Sequence, residues 1–431
     1  MKKCIKSAWH SIRARQILAF ALLIISCLIL TSCGLGDDSI TYAVISENNL
    51  SSDGFYYTLY ENNTVSITGR EDDGTKSLVI PGEIDRYKVV SVGTRAFYQN
   101  GTIITVTVSD GIRKIEDGAF AQCSSLASVT LGKDTVSIGK DAFSECTTLS
   151  EIRGAASLTD IANRAFYQCY SLSYITFGES LRTIGVEAFS NCTSLSDLYL
   201  PEKIESVGEG AFSYCEKLSF VSLGGLTAIP SQAFEKCTSL SDIDIGDAVV
   251  SMGDRAFRGC ENLTDVKIGK KLSSIGASAF VETPWISSVT DEFLIVGDGI
   301  LLKYNGSSPE VTIPKGVRVI ADAFNTSQTL MSVTIGKGVE IIGDYAFSGC
   351  SRLSQVVIEN GVKEIRASAF TGCRELIALT LPKTLNYIGV SAFGNCSKLS
   401  TIRYTGNSSS WSKITVEKGN TALGKATVTF G

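Results

Sequence analysis

The chain has almost no histidine. Its single copy, His10, lies in the first 32 residues, and nothing from residue 33 onward carries an imidazole. That removes Ser-His-Asp and Cys-His nucleophile systems, histidine general bases and histidine-held zinc from the bulk of the protein. No GxxxxGK[ST] segment and no strand-linked GxGxxG is present, so nucleotide binding has no support. There is no CxxC pair, which leaves a tetrahedral metal site without its usual spacing. Paired carboxylates, the remaining route to hydrolysis, need a cleft. Most acids here fall at solvent-facing positions of a repeat, such as Asp141, Glu145 and Glu187. No enzymatic activity and no cofactor are expected.

Long apolar runs are also scarce. The one that exists, Ile17 to Leu30, spans 14 residues behind a basic segment ending at Arg15. It is short for a membrane span and suits the core of an export signal. It closes on Leu30-Thr31-Ser32-Cys33-Gly34. This segment resembles the bacterial lipobox, which implies lipid attachment at Cys33 after cleavage ahead of it; an ordinary signal peptide or an uncleaved anchor is the alternative. The expected layout is a signal peptide over 1–32, a tether over 33–39, and an extracytoplasmic, surface-exposed protein held to a bacterial membrane by the lipid on Cys33. Gly34 lacks the acidic side chain that would hint at inner-membrane retention.

With 44% hydrophobic and 19% charged residues, the composition suits a buried core. The five basic residues of 1–32 have no acidic counterpart, so the remainder holds 34 basic against 44 acidic side chains, a balance of −10. That sign argues against nucleic acid as a partner.

Forty glycines point to many turns, and the turns are periodic. The pair Ala-Phe recurs with its Phe at 97, 120, 143, 166, 189, 212, 234, 257, 280, 324, 347, 370 and 393, at steps of 23 except for one of 22 and one of 44. A fixed period of this length means a solenoid. The unit Leu126 to Leu149 shows how it works. Val129 and Leu131 face one way and Ser128 and Thr130 the other, as in a strand. Val136 and Ile138 alternate again, and Ala142, Cys146 and Leu149 follow at the spacing of a short helical turn. Such a unit has one apolar side and buries it only by stacking.

The pattern I-G-x-x-A-F-x-x-C-x-x-L-x-x-V-x-I resembles the BspA-like, treponemal type of leucine-rich repeat found on bacterial surface proteins. The resemblance covers residues 78–404. It implies an α/β repeat fold, a leucine-rich-repeat solenoid of about thirteen rungs with short parallel strands and short helical turns, roughly 60 Å long at the strand spacing. A β-rich cap is expected over 40–77 and another over 405–431. Inside the 44-residue step, FLIV-GDG-ILLKY reads as a β-hairpin insert over about 283–306.

Ten cysteines stand three residues after a repeat Phe: Cys123, Cys146, Cys169, Cys192, Cys215, Cys237, Cys260, Cys350, Cys373 and Cys396. One structural position repeated ten times reads as a buried ladder of small side chains. Neighbouring rungs fall within disulfide range, but parallel side-chain vectors fit that bond poorly.

Solenoids bind through their strand face. Most of its outward positions hold small or neutral residues. The middle rungs differ: Tyr174, Tyr199 and Phe220 fall on successive rungs, joined by Asp197, Asp242, Asp244 and Asp265. Aromatics beside carboxylates can stack on sugars or hold Lys and Arg side chains; equally, Tyr and Phe simply suit strands. The expected function is a monomeric adhesion scaffold for host or microbial surface proteins or glycans. The alternative is a structural envelope lipoprotein that binds cell-wall or dietary polysaccharide.

Overall fold

The computed structural model describes residues 42–431; Cys33 and the segments read as leader and tether lie outside them. Each repeat makes one turn of a three-sided coil. In the unit quoted above, strand Ser128–Thr130 forms the first side and strand Ser137–Ile138 the second; the Ala-Phe segment forms the third. Strands of successive turns pair in parallel and in strict register, for example Ser128 with Glu151 and Ser137 with Asp160. Within the regular repeats each side chain therefore sits above its counterpart 22 or 23 residues earlier.

The third side is not helical, contrary to the reading of its spacing. Two residues per turn have positive φ, as at Asp141 (54°) and Glu145 (60°), and this pair recurs along the array. A left-handed residue every fourth position prevents an α-helix from propagating. The backbone bonds from turn to turn instead. Asp141, Phe143 and Glu145 donate to the carbonyls of Asn163, Ala165 and Tyr167 at 3.0, 2.8 and 2.7 Å. All three N–H groups point toward the following turn, and the same triplet recurs down the rod. Where a glycine follows the core Ile of the second strand, neighbouring turns approach closely: a Cβ on Gly185 would lie 2.4 Å from the amide nitrogen of Asn163.

The core is a set of columns. Phe97 to Phe280 stack with ring centroids 5.0–5.7 Å apart, and Phe324 to Phe393 with 4.8–5.2 Å. Beside them all ten repeat cysteines are buried and unbridged. Each thiol donates to the carbonyl of the Phe 25 or 26 residues earlier, as Cys146 does to Phe120 at 3.0 Å. Burial drives the thiol pKa upward, to about 12 at Cys215 and Cys350. From Cys146 onward the ladder is thus a hydrogen-bonded column of neutral, inert thiols, whereas the pKa of Cys123 at its start is lowered by a hydrogen bond with Cys146.

The second side carries sixteen turns rather than thirteen, about 75 Å along the arc at the strand spacing. The extra turns lack the Ala-Phe signature. Strand Thr64–Arg70 already pairs in parallel with Tyr87–Val92, and Thr415–Val416 pairs in parallel with Tyr387–Ile388. The 44-residue step hides another. Phe293–Val296 and Ile300–Tyr304 form the expected antiparallel hairpin, and the latter strand also pairs in parallel with Val319–Ile320. A short helix, Pro284–Ser288, begins beside it under a cap from the Thr283 hydroxyl.

This hairpin turn is a seam between two hydrophobic cores. Trp285, Leu294 and Val296 pack on the first core; Phe293 and Tyr304 pack on the second. Phe280 meets the Trp285 ring at 4.7 Å, and Phe324 meets Tyr304 at 4.8 Å. On the second side Arg318 pairs with Asp298 of the hairpin turn and with Glu340, which also holds Lys363 at 2.7 Å. At the C-terminal end Asn420 closes the array: its Oδ1 accepts from the Phe393 amide at 2.9 Å, and its Nδ2 donates to Gly389 and Glu417.

Candidate ligand-binding face

On the first side of the coil, strand alternation buries the middle residue and exposes its neighbours. Leu198, Val221 and Ile243 go inward. Tyr174, Tyr199 and Phe220 emerge at 53%, 61% and 42% exposure. No loop covers them. Register sets Phe220 beside Asp197 and Tyr199 beside Ser222, so the two aromatic residues meet on the diagonal, with centroids 5.0 Å apart and planes tilted by 36°.

The next two turns place carboxylates in the same line. Asp242 pairs with Asp265 across neighbouring strands, and Asp244 with Lys267. Like charges in direct register oppose one another, and Asp265 has no ion pair or side-chain hydrogen bond among the described residues. Asp242 accepts from the Ser241 hydroxyl at 3.0 Å, Asp244 from the Gly246 amide at 2.9 Å, and Asp197 from the Ser196 hydroxyl at 2.6 Å. None of the four aspartates is in a salt bridge among the described residues. Lys267, opposite Asp244, is not in a salt bridge with it, so these carboxylates stand without an ion pair among the described residues.

Between the aromatic pair and the acidic stripe the sheet opens. Asp197–Tyr199 pairs only with Phe220–Ser222, and Asp242–Asp244 only with Asp265–Lys267. A hollow of about 350 Å³ lies in the gap. Phe220, Ser222 and Gly224 line one wall, and Asp242, Asp244 and Asp247 the other, with Glu202 at the rim. The gap coincides with the one 22-residue step, Phe212 to Phe234. The missing residue is at the corner after Leu223, where Gly224 and Gly225 press onto the preceding corner: a Cβ on Gly225 would lie 2.0 Å from the Glu202 carbonyl oxygen.

The structure therefore brings Tyr199, Phe220, Asp242 and Asp244 to one opening. Tyr174 stands one turn before it, across another break in the sheet, and Asp265 one turn after. Glu202 and Asp247 join the site although strand alternation did not select them, because both stand on the corner that follows the strand. Among the described residues no group of His, Cys, Asp and Glu is arranged to hold a metal ion. No helix among them is long and apolar enough to cross a membrane.

Parallel strands in register, a leucine column and a one-turn repeat define a leucine-rich-repeat solenoid. Matches to the BspA type leucine rich repeat region cover residues 90–219, 183–294 and 302–418, about three quarters of the chain, and the chain belongs to that family. Solved structures with a similar fold include a leucine-rich repeat protein from Bacteroides ovatus, with 22% identity, 89% of this chain and 100% of that chain covered, and a TM-score of 0.47. A leucine rich cell surface protein from Faecalibacterium prausnitzii gives 25% identity, 88% and 100% coverage and a TM-score of 0.39. The pneumococcal vaccine antigen PcpA gives 20% identity, 86% and 83% coverage and 0.36. No curated protein matches the chain.

Proposed function

We propose that this protein is a surface-exposed adhesion scaffold that binds without catalysis, through the face from Tyr174 to Asp265. The observation that carries this reading is the opening beside Phe220. An exposed aromatic pair faces carboxylates without an ion pair across a hollow of about 350 Å³. Exposed rings and carboxylates together favour a protein segment bearing Lys or Arg, which gains both charge pairing and cation–π contact. Cys33 would carry the lipid that holds the rod at the membrane.

The test is a binding screen of residues 34–431 against matrix proteins, mucins and glycans, beside a variant with Tyr174, Tyr199 and Phe220 changed to Ser. We expect a ligand whose binding the variant loses while its thermal midpoint changes little, since all three side chains are exposed. A ligand retained in full by the variant would remove the site from this face.

The tilted stacking of Tyr199 and Phe220 favours a second reading, an envelope lipoprotein gripping a neutral polysaccharide. Salt separates the two. A cationic protein partner weakens as ionic strength rises, whereas stacking on sugar rings does not.

A further inference from the structure

The net charge of the rod averages two halves of opposite sign. Residues 42–299 hold 20 basic and 34 acidic side chains, a balance of −14; residues 300–431 hold 14 and 8, a balance of +6. One line of equivalent positions shows the change directly. At the corner that leaves each first-side strand, the turns before the hairpin present Asp110, Glu179, Glu202 and Asp247 with Lys133 and Lys270 among them, whereas the turns beyond it present no acid at the same position but three lysines, Lys315, Lys337 and Lys383. All three lysines are exposed.

The strands between the corners carry one acid, Glu310, and one cation, Arg403. Thr334, Thr380 and Thr401 replace the aspartates of the acidic stripe, and Arg403 joins them on the last full turn. The corner that enters the same strands adds exposed Arg352 and Arg374. None of these six cations is in a salt bridge or a side-chain hydrogen bond among the described residues. Two exposed acids interrupt the surface, Glu310 on the first strand and Glu359 on the leaving corner; a third, Glu375, is neutralised by Lys398 at 2.7 Å.

We propose that these C-terminal turns form a second binding site, for an anionic polysaccharide lying along the rod. The cations stand in columns at the turn spacing, about 5 Å apart or about 10 Å where a turn is skipped. Such a ladder suits a linear polymer with charges at regular intervals. The threonine floor offers hydroxyl donors and acceptors to sugar hydroxyls, as a polysaccharide requires. The strand and corner positions that carry these cations hold no aromatic ring for bases to stack on, the exposed Tyr345 lying on the third side and Phe430 on the closing strand, so single-stranded nucleic acid fits poorly.

The test uses the full chain in a non-ionic detergent, with dextran sulfate, polygalacturonate and unmodified dextran as probes. Dextran sulfate or polygalacturonate, or both, should bind with an affinity that falls as salt rises, and the stronger of the two identifies sulfate or carboxylate as the preferred anion. Unmodified dextran should not bind. Changing Lys315, Lys337 and Lys383 to Glu should weaken binding about tenfold or more, with an unchanged thermal midpoint. The Tyr199→Ser, Phe220→Ser pair should bind the polyanion as the parent does, which separates this site from the aromatic opening. Equal binding of dextran sulfate by the triple variant would overturn the proposal, as would equal binding of unmodified dextran. Salt-sensitive dimerisation abolished by the same triple change would reassign the surface to contact between copies.

Discussion

At the scale of single residues, the cysteines set a condition on stability. Nine of the ten thiols have pKa values raised chiefly by burial, among them Cys215, Cys260, Cys350 and Cys396 at about 12. In the unfolded chain the same thiols ionise near 8.5 to 9. Folding stability is therefore complete below pH 9 and falls above it, as the unfolded state gives up protons that the fold retains. Each thiol contributes about 1.4 kcal/mol of loss per pH unit beyond that point. The denaturant midpoint should drop steeply between pH 9 and pH 11. Changing Cys192 and Cys215 to Ala should make the drop shallower. A slope identical to that of the parent would show that the thiols do not set it. The rings beside them carry more of the stability at neutral pH. Phe189→Ala, in the middle of a stack, should cost about 3–5 kcal/mol. Phe97→Ala, at the end with a neighbour on one side only, should cost clearly less. Chemical denaturation of both variants decides this, and equal losses would mean that stacking adds nothing to burial.

At the scale of the element, the sequence is read well wherever a residue's role repeats. The Ala-Phe pair, the leucine column and the cysteine column recur thirteen, eleven and ten times, so their burial follows from period alone. The hairpin at 293–304 was legible from Gly297-Asp298-Gly299 between two apolar runs. Three features escaped. The turn at Asp141 to Cys146 has helical spacing but left-handed residues, and Asp and Glu there give no warning as Gly would; only the close fit of neighbouring turns imposes that backbone. The turns at 64–70 and 415–430 pair by backbone and need no signature, so a search for Phe passes over them. The hollow beside Phe220 falls at the one short step, and a deletion shows in the spacing without revealing that a hollow lies beside it. The exposed aromatics were visible by alternation; the opening that gives them a place to bind was not.

At the scale of the whole molecule, the hairpin turn divides the core. The aromatic column stops at Phe280 and resumes at Phe324, with Trp285 on one side of the break and Tyr304 on the other. In a stacked array stability is the sum of turns and of the contacts between them, and the weakest contact limits cooperativity. The two cores should unfold separately. Each holds one tryptophan that can report: Trp285 packs on the first and Trp411 on the second. In residues 34–431, Trp285→Phe leaves Trp411 to follow the C-terminal core, and Trp411→Phe leaves Trp285 to follow the other. Their fluorescence transitions in urea should have different midpoints; coincident midpoints in both variants would mean that the seam transmits folding in full.

The turn-to-turn hydrogen bonds leave the field around the rod to its side chains. On the third side the N–H groups point toward the C-terminal end, whereas on the second side Val136, Ser137 and Gly139 donate back to Arg113 and Ile115, so the backbone dipoles oppose one another. The side chains do not cancel in this way: they sum to −14 before the seam and +6 after it. They make the rod a permanent electric dipole. Such a body is turned by an approaching charge before contact is made, so an anionic partner meets the C-terminal turns first.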